Sequence, residues 1–334
     1  MAGFEENEIS LKANGGTELI KRRLGGLLDP TLLDNFQIIS SRIRELNPEK
    51  IRVMWSHDLP EDPESEKIKH KAYRDKFHKF VFVSNWQYNR YQLFSGLPYD
   101  TTSIIIEHGI VPSPASCLNK PNDKIRLVYT STPQRGLELL VPVFKRLAEK
   151  YPNIHLDVFS SFKIYGFDEA DKRYEPLYEE CRNHPQITYH GFTPNDELRA
   201  HVDKCHIFAY PSIWMETACI ALMEAMSAGL VCVHPNFGAL ADTSGGLNMM
   251  YHGNFNDRNS HANILYSYLE GAIELVKSNK SAELVGYAKF YADNRFHINR
   301  AMQQWENLLK TLLNDYPTIE SRFIAEEKFV YRTT

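Results

Sequence analysis

The sequence has no apolar run long enough to cross a bilayer. About 18–20 consecutive apolar residues are needed for that, and the nearest approach, residues 218–233, is broken by Glu224 and Ser227. Cysteine is sparse: Cys117, Cys181, Cys205, Cys219 and Cys232 are odd in number, widely scattered, and form no CxxC pair. Neither a disulfide framework nor a zinc site is suggested, and buried free thiols in a reducing cytoplasm are the expectation. The 13 histidines contain no HExxH pair and no DxD pair stands near a strand end, so neither a metal nor a cofactor is expected. No GxGxxG follows a strand, which argues against a dinucleotide-dependent dehydrogenase. An excess of one charge is missing too. With 38 basic and 42 acidic side chains, no global field draws the chain to nucleic acid. The opening "MAGFEENEIS" is acidic and lacks the basic and apolar regions of a signal peptide, so a cytoplasmic location is expected.

What is present is alternation. Short β-rich runs interleave with helical patterns over 334 residues, enough for two α/β domains built on parallel sheets. Strands are expected at 36–40, 51–55, 80–84 and 103–107, with a helix from about Thr17 to Leu28 after "NGG". A second series is expected at 125–131, 155–160, 187–191, 207–212 and 230–235, with helices at about 136–150, 195–204 and 217–228. Between them "HGIVPSPASCLNKPND" (108–123), with three prolines, reads as a linker. The expected organisation is a short Rossmann-like domain at 1–112, a second at 113–295, and a C-terminal helix and tail at 296–334 packing back toward the first. Beyond residue 260 the pattern is helical, and the aromatics of 265–293 read as core.

The most informative stretch is "PSIWMETACIALMEAMSAGL" (211–230), where Glu216 and Glu224 bracket seven residues. Glu224 lies among Ala221, Leu222, Met223, Ala225 and Met226, where a carboxylate is rarely placed without a partner. A helix from near Thr217 to Gly229 presents unpaired N–H groups and the positive end of its dipole just after a strand, a ready phosphate site. Two carboxylates about 12 Å apart along such a helix suit the hydroxyl pairs of a nucleotide-sugar, because each oxygen accepts hydrogen bonds.

This stretch resembles the signature of the family 4 retaining glycosyltransferases, whose fold is GT-B: two Rossmann-like domains facing across a cleft. Glu216, Glu224, Ala225 and "MSAGL" fit its Glu-x7-Glu pattern, and "NGGTE" (14–18), "VSNWQ" (83–87), "IIIEHGI" (104–110), "LVYTSTPQRGLELLVPVF" (127–144) and "ITYHGFTPNDEL" (187–198) resemble other family elements in the same order. The resemblance implies transfer of a sugar from a nucleotide diphosphate donor to a hydroxyl acceptor, a glycan or glycolipid, with retention and without metal. It places Glu216 at the transferred sugar with His57 as the second catalytic residue. Glu224 would hold the donor ribose, and Arg135, where the family usually has Lys, would neutralise the diphosphate. Gly15 and Gly16 would admit the phosphates closely, the backbone of Thr217, Ala218, Cys219 and Ile220 would meet sugar and phosphate, and Gly191 and Phe192 lie in the base-side loop. Thr130 and Ser131 occupy the region of a customary Arg, so hydroxyls or another base must supply what that charge does. A hydrophobic strand normally precedes the glycine loop, and "MAGFEENEISLK" does not supply one.

Other readings stay open on the sequence. The chain fits a nucleotide-sugar-binding GT-B protein without turnover, or a GT-B epimerase. "IKRRLGGLL" (20–28) would make either a solvated basic face or a weak peripheral membrane contact, the former preferred.

Overall fold

The computed structural model describes residues 3–4, 13–40, 45–115 and 120–324. Among the described residues ten strands form two sheets, and every pair in both is parallel. The first sheet runs β1 (Phe36–Ile39), β2 (Ile51–Trp55), β3 (Lys79–Phe82), β4 (Ser103–Ile105), in that order across the sheet. Its register sets Ile38 beside Val53, Met54 beside Phe80 and Val81 beside Ile104. All five residues of "IRVMW" in β2 are buried, as a parallel strand covered on both faces requires. Phe4 adds a parallel bridge to Ile38 at the open edge, a pairing from the segment read as supplying no strand; residues 5–12 lie outside the described residues.

The second sheet comprises β5 (Ile125–Thr130), β6 (Ile154–Phe159), β7 (Ile187–Tyr189), β8 (Ile207–Ala209), β9 (Val231–Pro235) and β10 (Met249–Tyr251), ordered β10-β9-β8-β5-β6-β7. The chain travels outward from β5 through β6 to β7, then returns to the other side of β5 and continues through β8 to β10. That reversal opens a crevice at the carboxyl ends of β5 and β8, the place where open α/β sheets bind ligands. β10 escapes sequence reading because a three-residue strand in "NMMY" shows no periodicity.

The helix Ile298–Asp315 buries Ile298, Ala301, Trp305, Leu308, Leu309 and Leu312, a stripe at helical spacing. It joins the core of the first sheet, where Trp305 meets Trp55 edge-on at 4.9 Å. Strand-like pairing carries the chain across: Ile110 N–H donates to the Phe296 carbonyl at 2.6 Å, and Ile298 N–H to Ile110 at 2.8 Å. The "HGI" turn, read from sequence as the start of a linker, is therefore packed, with His108 and Ile110 buried. Gly109 is required there, since a Cβ would lie 2.8 Å from the Ile298 Cα. Residues 116–119 of the linker, with Cys117, lie outside the described residues; the other four cysteines are free and buried. Among the described residues no helix is long and apolar enough to cross a membrane.

Two surface expectations fail. In the helix Gly16–Gly25, Lys21 is buried and Arg23 is ion-paired inside the molecule, so "IKRR" forms no solvated basic face. In the helix Ala282–Arg295, Tyr287 and Phe290 are exposed where core was expected, because its buried stripe is carried by Val285, Ala288 and Ala292.

Candidate functional site

The turn after β5 and the loop after β8 meet at the crevice. Pro133–Arg135 forms a single tight turn closed by Gly136. Its φ of 119°, and the Pro211 carbonyl standing where a Cβ would go, leave room for glycine alone. This delivers the Arg135 guanidinium to Glu216, Nη1 to Oε1 at 2.6 Å. The Tyr210 hydroxyl donates to the same oxygen, and Trp214 lies 5.9 Å from the guanidinium. Burial opposes charge on Arg135, yet the Glu216 carboxylate beside it holds it protonated well above its ordinary range. Glu216 is 5% exposed, and Gly238 packs so tightly on its backbone that a Cβ would stand 2.6 Å from both its N and O.

Glu224 occupies a second station. The helix that carries it spans Ile220–Ser227, with Cys219 at its cap. It starts three residues later than the sequence suggested, because Thr217 is engaged elsewhere: its Oγ1 donates to the His57 carbonyl at 2.8 Å and its own carbonyl accepts from Ser84 Oγ at 2.6 Å. Glu216 is therefore outside the helix, and the two acids are not ranged along one axis. Glu224 accepts from Arg23 Nη2 at 2.8 Å and from Asn195 Nδ2 at 3.2 Å, with Arg199 at 3.8 Å. Arg135 stands with Glu216, and Glu224 has its own basic partners. Glu224 lies on the wall of a cavity of about 480 Å³ that Gly15, Gly16 and Arg22 border on one side and Phe192, Asn195 and Ile220 on the other. Neither Glu216 nor Arg135 is among the described residues lining it.

The glycine loop reaches across the cleft. A Cβ on Gly15 would meet the Tyr165 ring at 2.6 Å, and one on Gly16 the Ile220 side chain at 3.2 Å. Both glycines thus permit a close approach, here to protein. Gly191 takes φ +68° beside the exposed Phe192. Ser131 is half-buried at the start of the β5 turn, Ala218 is half-buried, and Cys219 is buried. Burial drives the Cys219 thiol well above its ordinary pKa, which removes it as a nucleophile.

His57 faces the crevice from the first sheet. Its ring stacks on His108 at 5.1 Å and lies 4.5 Å from Trp55. Burial, then His108 and Lys21, push its pKa well below the ordinary value, and burial with Arg23 lowers His108 to about 3. Buried polar atoms without partners include His57 Nε2 and His108 Nδ1, and, in the turn after β5, Arg135 Nε, Thr132 Oγ1 and Gln134 Oε1. Such atoms mark where a polar ligand would be satisfied. Sequence reading missed Tyr210, Arg23, Asn195, Arg199 and His108. Tyr210, six residues before Glu216, was within reach of a strand-end argument; the rest arrive through tertiary packing.

Residues 117–285 match the family described as Glycosyl transferases group 1. The chain belongs to this family. A phosphatidylinositol N-acetylglucosaminyltransferase subunit of Arabidopsis thaliana is 30% identical over 117 residues, covering 35% of this chain and 24% of that protein, so the match spans about a quarter of that relative's length. The fold is that of a glycosyltransferase from Rickettsia africae (14% identity, TM-score 0.63, 93% of this chain and 84% of that one) and of Anabaena HepE solved with UDP-glucose (14% identity, TM-score 0.59, 89% and 84%). The architecture is thus that of a GT-B glycosyltransferase: α/β, two parallel sheets and a helical C-terminal end.

Proposed function

We propose that this group 1 glycosyltransferase is a retaining, metal-independent enzyme of family 4. It moves a hexose-type sugar from a uridine diphosphate donor to a hydroxyl of a glycan or glycolipid. The observation that carries this reading is Glu224, a carboxylate with 10% side-chain exposure on the wall of a nucleotide-sized cavity at the sheet's switch point. Ribose hydroxyls would take its lone pairs, the base would lie against the Gly191–Asn195 loop, and the diphosphate would lie between the start of the Ile220–Ser227 helix and Arg135. The Anabaena relative with UDP-glucose and the N-acetylglucosaminyltransferase relative support the donor class.

The chemistry follows from that placement. The bond from the anomeric carbon to phosphate breaks with its electron pair leaving on the diphosphate, where Arg135 receives the charge. The acceptor oxygen attacks from the same face, and its proton passes to the departing phosphate oxygen. Glu216 faces the positive charge that develops on the ring, and His57 sits toward the acceptor from the opposite domain. The cleft as it stands is closed by the Ser84–Thr217, Thr217–His57 and Arg23–Glu224 contacts. Donor entry requires it to open, and Arg23 to leave Glu224.

Glu224→Gln is expected to weaken nucleotide binding roughly 10-fold, the scale of losing a hydrogen bond to a charged group. Calorimetry with the preferred nucleoside diphosphate measures it, and an unchanged affinity would remove Glu224 from the donor site. The satisfied state of Glu216, fully engaged by Arg135 and Tyr210, favours a second reading in which the chain binds nucleotide-sugar without turnover. Donor hydrolysis assayed without acceptor separates the two: slow release of nucleoside diphosphate is expected from a transferase and none from a binder.

Metal independence has its own measurement. Arg135 and the helix start would fill the role a divalent cation takes elsewhere. Turnover at saturating donor is expected to survive EDTA. Activity that disappears with the chelator and returns with manganese would sink the proposal.

A further inference from the structure

One group of side chains beneath the loop bordering the cavity has no part in this scheme. Asp157 in β6 is 3% exposed, and no Lys or Arg pairs with it in any ion pair of the described residues. Two imidazoles converge on a single oxygen: His190 Nε2 lies 2.8 Å and His201 Nε2 3.2 Å from Oδ1. The other oxygen, Oδ2, is buried without a hydrogen-bond partner. Phe159 stacks on His190 at 4.2 Å, the rings nearly parallel, and meets His201 edge-on at 5.1 Å, so both rings are held in place by packing.

A buried carboxylate needs a countercharge, because desolvation costs it several kcal/mol. Both imidazole contacts go to Oδ1 and leave Oδ2 without a partner. The donor set itself, two imidazole nitrogens and a carboxylate whose ligand atoms all lie within 4.8 Å of one another, is one that zinc-class cations take. Bonds of about 2.1 Å in a tetrahedron place neighbouring ligand atoms about 3.4 Å apart, so the 2.8 and 3.2 Å contacts to Oδ1 must widen slightly to seat the ion. We propose that Asp157, His190 and His201 bind one zinc-class divalent cation. The fourth position faces solvent, since the two imidazoles are 25% and 35% exposed. Sequence spacing conceals such a site: its ligands come from a strand, a strand end and a helix, far apart along the chain.

The cation would tie together three pieces, adding to the β6–β7 ladder and to the imidazole contacts with Asp157 that already join them. His190 begins the loop that carries Gly191 and Phe192, and His201 sits in the helix Asn195–Val202, whose Asn195 holds Glu224. Its role is to fix that loop and helix against β6, away from the reacting atoms. The proposal stands on this geometry and not on the transferase reading.

The full chain, stripped with chelator and dialysed, is titrated with zinc chloride and followed by calorimetry and thermal unfolding. One equivalent is expected to bind, and Tm to rise by roughly 5 °C at a hundredfold excess over Kd. His190→Gln and His201→Gln should each lose that shift, whatever each costs in stability without metal. Cobalt(II) on the wild type should give visible ligand-field absorption of a low-coordinate nitrogen and oxygen site, a measurement that does not depend on the variants folding. No zinc-dependent shift in the wild type overturns the proposal. So does a shift that persists in both variants, which would place the ion on other histidines. Stabilisation on acidification alone, unmoved by zinc, also overturns it, since Asp157 would then be holding an imidazolium.

Discussion

Glu216→Ala is expected to lower kcat by roughly 10²-fold or more, the scale of losing one preorganised electrostatic contact. Affinity for the bare nucleoside diphosphate should change little, because that ligand has no sugar for Glu216 to meet. Positive charge builds on the ring only as its bond to phosphate breaks, so the contact acts in the transition state and shows in turnover more than in binding. The structure adds a second expectation. Glu216 is the partner of the part-buried Arg135, and removing one member of a buried pair leaves the other uncompensated, at a cost of about 3–5 kcal/mol of stability. Glu216→Gln separates the effects: the amide oxygen still accepts from Arg135 and Tyr210, while the negative charge is lost. Both variants should lose turnover, with glutamine keeping more of the wild-type Tm. Turnover that stays intact in the glutamine variant would overturn the catalytic role. Nucleotide affinity falling in step with turnover would move Glu216 to donor binding or to the fold.

This pairing shows where sequence reading succeeds. Runs such as "IRVMW" and "IRLVYT" announce buried parallel strands because both faces are apolar, whereas the reversal at β5 is seen only in the fold. Glu224 was legible because a carboxylate among Ala, Leu and Met residues demands a partner. Its partners were not legible. Arg23 and Asn195 stand 201 and 29 residues away in the chain, and nothing in "IKRRLGG" marks its second arginine as interior. The helix start at Ile220 was misplaced for a similar reason. Thr217 has ordinary local propensity for a helix, but its hydroxyl and carbonyl are claimed by His57 and Ser84 from the other domain, and tertiary contacts override propensity. His57 was singled out by the family resemblance, while its stacking partner His108 sat in a segment whose prolines suggested a linker.

Those two histidines lead to an acid-stability prediction. Burial lowers His108 to about 3, and burial lowers His234 to about 4 despite its hydrogen bond to the Pro235 carbonyl; His57 is pushed down in the same direction. In the unfolded chain each titrates near 6.5. The fold therefore favours the neutral rings, and the unfolded state binds more protons as pH falls. The stability these groups contribute is complete above about pH 6.5 and is lost as the solution is acidified through that value. Each of His108 and His234 loses roughly 1.4 kcal/mol per pH unit, or about 2 kcal/mol by pH 5. Asp157, whose pKa is lowered by its two imidazole partners against the cost of burial, acts only below the carboxylate range and does not enter this window. Urea midpoints measured from pH 7.5 to 5 should fall steeply, with no change in the slope of unfolding free energy against denaturant. Stacking at 5.1 Å with planes 11° apart makes the first proton on the His57–His108 pair repel a second, so the two rings charge only as the cleft between the sheets gives way. His108→Gln should flatten the pH dependence by about one proton's worth. A midpoint that holds constant from pH 7.5 to 5 would mean that these rings accept protons in place, and that the crevice around His57 is open to water.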